Sequence, residues 1–211
     1  MQTQNQGATP KRKVFISYHH ANDQGYKESL LTFNDTHDIF IDASVDTGDI
    51  DDSLSNETIR QKIRDEYLAN STVTILLVGT ETKFRKHVDW ELYSSMFDGS
   101  VNRKSGILVI NLPSTNSELS IAAHPNEKVV VHPEIQSWTT VNTRTEYESR
   151  YPFMPDRIID NLLKTEAKIS VVPWSKLTVD NLAFLIEATF QGRDSCQYDL
   201  SRDMRRADFN P

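Results

Sequence analysis

The run VDWEL sets a carboxylate beside an aromatic ring at Trp90 and Glu91. A carboxylate near the end of a β-strand can grip a vicinal diol or stabilise a developing positive charge. Its ordinary explanation is strong, because an acid in the first turn of a helix is favoured by the helix dipole alone. Other candidates stand where apolar runs close. Ser17 and Tyr18 end KVFISY and His19 comes next, Asp42 ends IFID with Ser44 two residues on, and Gly79 and Thr80 close TVTILLV. His19 and His20 stand together without further ligands at recognisable spacing, so they read as loop residues and no metal is expected.

Several chemistries lack their signatures. No G-x-G-x-x-G or G-x-x-x-x-G-K-[ST] occurs, so any nucleotide must be held without a dinucleotide fingerprint or a P-loop. Ser17 has no G-x-S-x-G elbow around it. The acidic stretch with Asp46, Asp49, Asp51 and Asp52 lacks the calcium-loop pattern and reads as a solvated loop. Cys196 is the single cysteine, which excludes an internal disulfide.

The formal net charge of -7 opposes nucleic-acid binding, since the basic clusters Lys11 to Lys13 and Arg202 to Arg206 lie near the ends of the sequence. A mean hydropathy of -0.52 leaves no run long enough to span a bilayer. The polar opening MQTQNQGATPKRK has no apolar stretch of signal-peptide length, which predicts a cytoplasmic protein with a disordered tail over 1–12.

These residues need a scaffold, and the hydrophobic pattern supplies one. Strands are predicted at Lys13 to Tyr18, Ile39 to Asp42, Thr72 to Val78, Gly106 to Asn111 and Lys168 to Val172. Helical spacing falls at Tyr26 to Phe33, Asn56 to Leu68, Val88 to Asp98, Pro155 to Leu163 and Val179 to Phe190. The alternation predicts an α/β, flavodoxin-like three-layer sandwich. Its five parallel strands take the order 2-1-3-4-5, with helices on both faces. One domain over 13–192 is expected, with an insertion at 113–151 after strand four and a polar tail over 193–211. In such a sheet ligands bind outside the carboxyl ends of the strands where the order reverses, which nominates one site for the residues above.

The segments KVFISYHHAND, IFIDASV, TVTILLVGTETKFRKHVDWEL and ISVVPWSKLT together resemble the TIR-like family that includes the nucleotide-signalling subunit of the bacterial Thoeris anti-phage system. The likeness spans roughly Lys13 to Phe190. It implies cleavage of NAD+, as substrate and not cofactor, at the bond to nicotinamide, with Glu91 as the catalytic carboxylate. Ser17, Tyr18, His19, Asp42, Ser44, Thr80 and Trp90 would line the substrate path. It further implies an ADP-ribose-derived product, cyclic or conjugated, that reaches an effector protein. A phage-derived trigger and a homo-oligomer are also implied. Tryptophan and glutamate are adjacent here, whereas many TIR domains have W-C-x-x-E. The alternative expectation is a non-catalytic TIR-like interaction module. A receiver domain fits less well, because the loop after strand one reads SYHHAND and lacks an acidic pair.

Overall fold

The computed structural model describes residues 10–44, 53–100 and 102–209. The aspartates of the acidic loop and most of the 1–12 tail lie outside the described residues. A parallel sheet has the order β2-β1-β3-β4-β5, formed by β1 (Lys13–Ser17), β2 (Ile41–Asp42), β3 (Val73–Val78), β4 (Gly106–Asn111) and β5 (Ser170–Pro173). This is the predicted α/β architecture. Every residue of β3 and of β4 is buried, as their unbroken apolar and β-branched runs require of strands covered on both faces. The register sets Ser17 beside Leu76 and Leu76 beside Val109, which aligns the carboxyl ends of β1, β3 and β4.

Helices α1 (His20–His37), α2 (Asn56–Lys62), α3 (Lys86–Met96), α4 (Glu127–Val130), α5 (Arg144–Arg150), α6 (Asp156–Leu162) and α7 (Val179–Gly192) connect and cover the strands. One cluster packs α1 and α7 residues such as Leu30, Leu182 and Ile186 against Val14, Ile16, Ile75 and Ile110 of the sheet. A second packs Val88, Leu92 and Met96 of α3 with Ile158 and Ile159 of α6 on Leu76, Ile107 and Val109. Local chemistry marks the starts of several helices. The side chains of Ser55, Thr143 and Thr178 accept hydrogen bonds from Thr58, Glu146 and Asn181 backbone N–H groups.

The first helix begins six residues earlier than the pattern predicted, at His20 and not Tyr26. Its inward positions include Asp23 and Asn34 as well as Leu30, so an apolar-period test misses its first turns. Asn34 then ties the helix to the sheet: its Oδ1 accepts from Ile39 N (3.1 Å) and Phe40 N (2.8 Å), and its Nδ2 donates to the Phe40 carbonyl (3.1 Å). The expected second helix runs to Lys62 and continues as a π-helical turn over Ile63–Tyr67.

The 113–151 region carries α4 and α5, and Ile121 makes an antiparallel bridge to Val171 at the β5 edge. Val131, Tyr147 and Tyr151 from this region are core residues. The polar segment after Gly192 crosses α6 and α3, burying Cys196 and Met204 as it goes. No helix among the described residues is long and apolar enough to cross a membrane.

Candidate functional site

The strand order reverses between β1 and β3, and Ser17 is the last residue of β1. Its hydroxyl donates a 2.6 Å hydrogen bond to Glu91 Oε2 across 74 residues of sequence. Both side chains are almost wholly enclosed, at 1% and 3% exposure. Burial pushes the Glu91 carboxyl from 4.5 up to about 7, opposed by the Ser17 hydrogen bond and the positive charge of Lys27. The carboxyl is therefore poised between its two protonation states near neutrality.

Helix α3 starts at Lys86, so Glu91 lies in the second turn and the helix-dipole explanation passes to Asp89. That removes the ordinary reason for an acid at this position. A polar residue on the sheet-facing side of a packed helix costs stability, and the bond to Ser17 offsets that cost for Glu91 only in part.

The neighbouring loops keep this end of β1 in place. Ser44 Oγ accepts from Ile16 N at 3.1 Å, and Ala43 N donates to the Val14 carbonyl at 2.9 Å. Asp42 is exposed, and its carboxylate accepts from Ser44 N at 2.9 Å. Tyr18 is buried; its hydroxyl donates to Gln24 Oε1, and its ring stacks on His20 at 4.4 Å between centroids. His19 is the N-cap residue of α1, its carbonyl accepting from Asp23 N at 2.8 Å. Burial and then Arg85 hold the His19 imidazole below its usual 6.5, so it is neutral at pH 7. Among the described residues its Nδ1 is buried without a hydrogen-bond partner. Thr80 is half-buried in the turn after β3.

Trp90 is a correction. It has no exposed surface, packs with Phe15, Ile59, Ile63, Leu68 and Met204, and donates from Nε1 to the Arg205 carbonyl at 2.7 Å. Trp90 is thus committed to the C-terminal segment and not to the Ser17–Glu91 site. Consecutive helix residues point about 100° apart, which sends Trp90 away from the β1 end that Glu91 faces.

Sequence reasoning missed two residues of α1. Asp23 is buried against Gly79: its Oδ2 accepts from Thr82 Oγ1 at 3.3 Å, and Thr82 Oγ1 accepts from Gly79 N at 2.8 Å. A Cβ on Gly79 would overlap both Asp23 carboxylate oxygens, so any larger residue forces that buried side chain to move. Burial raises the Asp23 pKa above 3.8. Lys27, one turn further along, places its ammonium 5.3 Å from the Tyr18 ring centroid and within electrostatic reach of Glu91. The i, i+4 spacing of Asp23 and Lys27 was a usable signal, hidden because HHANDQG reads as a strand-ending break.

The arrangement offers one enclosed carboxylate of raised pKa, a hydroxyl bonded to it and a nearby ammonium. Such a group can hold a diol or stabilise positive charge developing on carbon. Residues 15–117 match the family profile described as Thoeris protein ThsB, TIR-like domain. The matched stretch contains Ser17, Asp42, Ser44, Thr80 and Glu91. No curated protein matches the chain.

Proposed function

We propose, on the premise that residues 15–117 are a TIR-like domain of the Thoeris ThsB family, that the protein cleaves NAD+ and makes an ADP-ribose-derived signalling nucleotide in anti-phage defence. The observation that carries this reading is the enclosed Ser17–Glu91 pair at the point where the strand order reverses.

The bond between ribose C1′ and the pyridinium nitrogen breaks with both electrons going to nitrogen, so nicotinamide leaves neutral. Because the leaving group needs no proton, one well-placed carboxylate is enough. Ionised Glu91 accepts hydrogen bonds from the ribose hydroxyls and stabilises the oxocarbenium-like carbon electrostatically. Ser17 holds the carboxylate in position, and Tyr18, His19, Asp42, Ser44 and Thr80 border the bound nucleotide. Capture of the cation by water releases a proton and yields ADP-ribose. Capture by an adenine nitrogen of the same molecule yields a cyclic isomer, and capture by a third molecule yields a conjugate. The cyclic or conjugated product acts on an effector protein, and a phage-derived component triggers its synthesis in a cytoplasmic, homo-oligomeric enzyme.

Because the working form of Glu91 is ionised, kcat/KM rises with pH through about 7 in the unliganded protein. The deciding experiment incubates purified protein with NAD+, with and without lysate from phage-infected cells, and follows nicotinamide by chromatography. Wild type releases nicotinamide and Glu91→Gln does not. Release by neither under activating conditions would return the chain to the role of a non-catalytic interaction module. Mass spectrometry of the same reactions distinguishes linear, cyclic and conjugated products.

A further inference from the structure

Helix α3 carries Glu91 on one side and is gripped on another by a strap formed from residues 199–209. The grip centres on Arg157 of α6, which has no exposed surface. Its Nε and Nη2 donate to the two oxygens of Asp89 at 2.8 and 3.0 Å, a bidentate pair. The remaining donors reach the strap, Nη1 to the Arg202 carbonyl at 3.0 Å and Nη2 to the Asp203 carbonyl at 3.1 Å. The guanidinium also lies 4.9 Å from the Tyr93 ring centroid, a second residue of α3.

The strap returns these contacts to α3 at successive positions. Arg205 N donates to Asp89 Oδ2 at 2.8 Å, and the Arg205 carbonyl accepts from Trp90 Nε1 at 2.7 Å. Further along, Asp208 Oδ1 accepts from Lys86 N at 2.7 Å, and Phe209 N donates to the Phe84 carbonyl at 3.0 Å. Asn161 anchors the other end, exchanging bonds with Asp199 N (2.7 Å) and the Asp199 carbonyl (3.1 Å). The two residues immediately before Glu91 are thus both tied to one strap.

We propose that Arg157 is a positioning residue for Glu91, acting through Asp89 and the C-terminal strap that it locks across α3. This rests on the role given to Glu91 above. A helix pinned at Asp89 and Trp90 cannot slide along β1, so the 2.6 Å bond to Ser17 is held and water is kept from the carboxylate. The groups facing Glu91 among the described residues are Ser17 from β1 and Lys27 from α1; the strap's charges face the far side of α3. Lysine cannot replace Arg157, because a single ammonium does not span a bidentate carboxylate and two carbonyls.

The test compares Arg157→Lys and Trp90→Phe, the latter deleting one strap bond while keeping an aromatic core residue. The readout is the pH midpoint of Glu91 ionisation, obtained as the stability difference between each variant and the same variant carrying Glu91→Gln, measured by urea unfolding across pH. It requires no NAD+ cleavage, so it stands apart from success or failure of the proposed reaction. As water reaches the carboxyl, the midpoint is expected to fall by at least about half a pH unit toward 4.5. Where nicotinamide release is measurable, kcat falls about tenfold or more with KM little changed. If Arg157→Lys does not fold, Trp90→Phe alone decides. A midpoint that stays at the wild-type value in the folded variants, whatever their stability, overturns the proposal and leaves Arg157 a structural clamp.

Discussion

Replacing Glu91 by glutamine is expected to stabilise the folded protein at pH 8 while leaving its stability near pH 4 almost unchanged. The carboxyl ionises at 4.5 in the unfolded chain and at about 7 in the folded one. Between those values the folded protein keeps a proton that the unfolded chain has released, so stability falls as pH rises through the window and stays low above it. At about 1.4 kcal/mol per pH unit, the displacement of about 2.5 pH units costs about 3 kcal/mol at pH 8. Glutamine has no charge to desolvate, and its amide oxygen accepts the Ser17 hydrogen bond as the carboxylate oxygen does. Urea unfolding of both proteins at pH 4, 6 and 8 measures the difference directly. In a protein of this size the same change raises Tm by about 6–12 °C at alkaline pH. A variant no more stable than wild type at pH 8 would refute the reasoning, since the carboxylate would then bear no desolvation cost. A gain in stability joined to loss of nicotinamide release is the signature of a residue kept for chemistry at the expense of the fold.

Ser17→Ala removes the hydrogen bond that opposes desolvation, so the Glu91 carboxyl rises further and the pH–rate profile for nicotinamide release moves to higher pH. Gly79→Ala drives a methyl group into the Asp23 carboxylate and is expected to destabilise by about 1–3 kcal/mol, read by urea unfolding. Burial holds the His124 imidazole at about 4 and not 6.5. A base with a lowered folded pKa binds its proton first in the unfolded chain, so stability drops as pH falls from about 6.5 to 4. His124→Asn is expected to flatten that acid limb by up to about 3 kcal/mol in unfolding titrations.

Much of the scaffold was legible in residue order. TVTILLV and GILVIN are continuous apolar runs, and only a strand covered on both faces buries every residue of such a run. Their alternation with helical stretches leaves few topologies open once crossovers are right-handed. The first helix was blurred because its inward residues at Asp23 and Asn34 are polar, bonded through partners that no periodicity displays. Trp90 was misassigned for a related reason. Its partner, the Arg205 carbonyl, lies 115 residues away.

The sequence by itself determined that a parallel sheet would form, in which order, and that Ser17 and Glu91 would stand near one of its ends. Strand pattern and crossover handedness are local properties that residue types carry. The tertiary structure decided that Glu91 sits in the second turn of α3, enclosed and bonded to Ser17, with Trp90 turned into the core and the helix held by Arg157 and the strap. Desolvation and long-range hydrogen bonding depend on everything packed around a group, and that is known only when distant segments have come together.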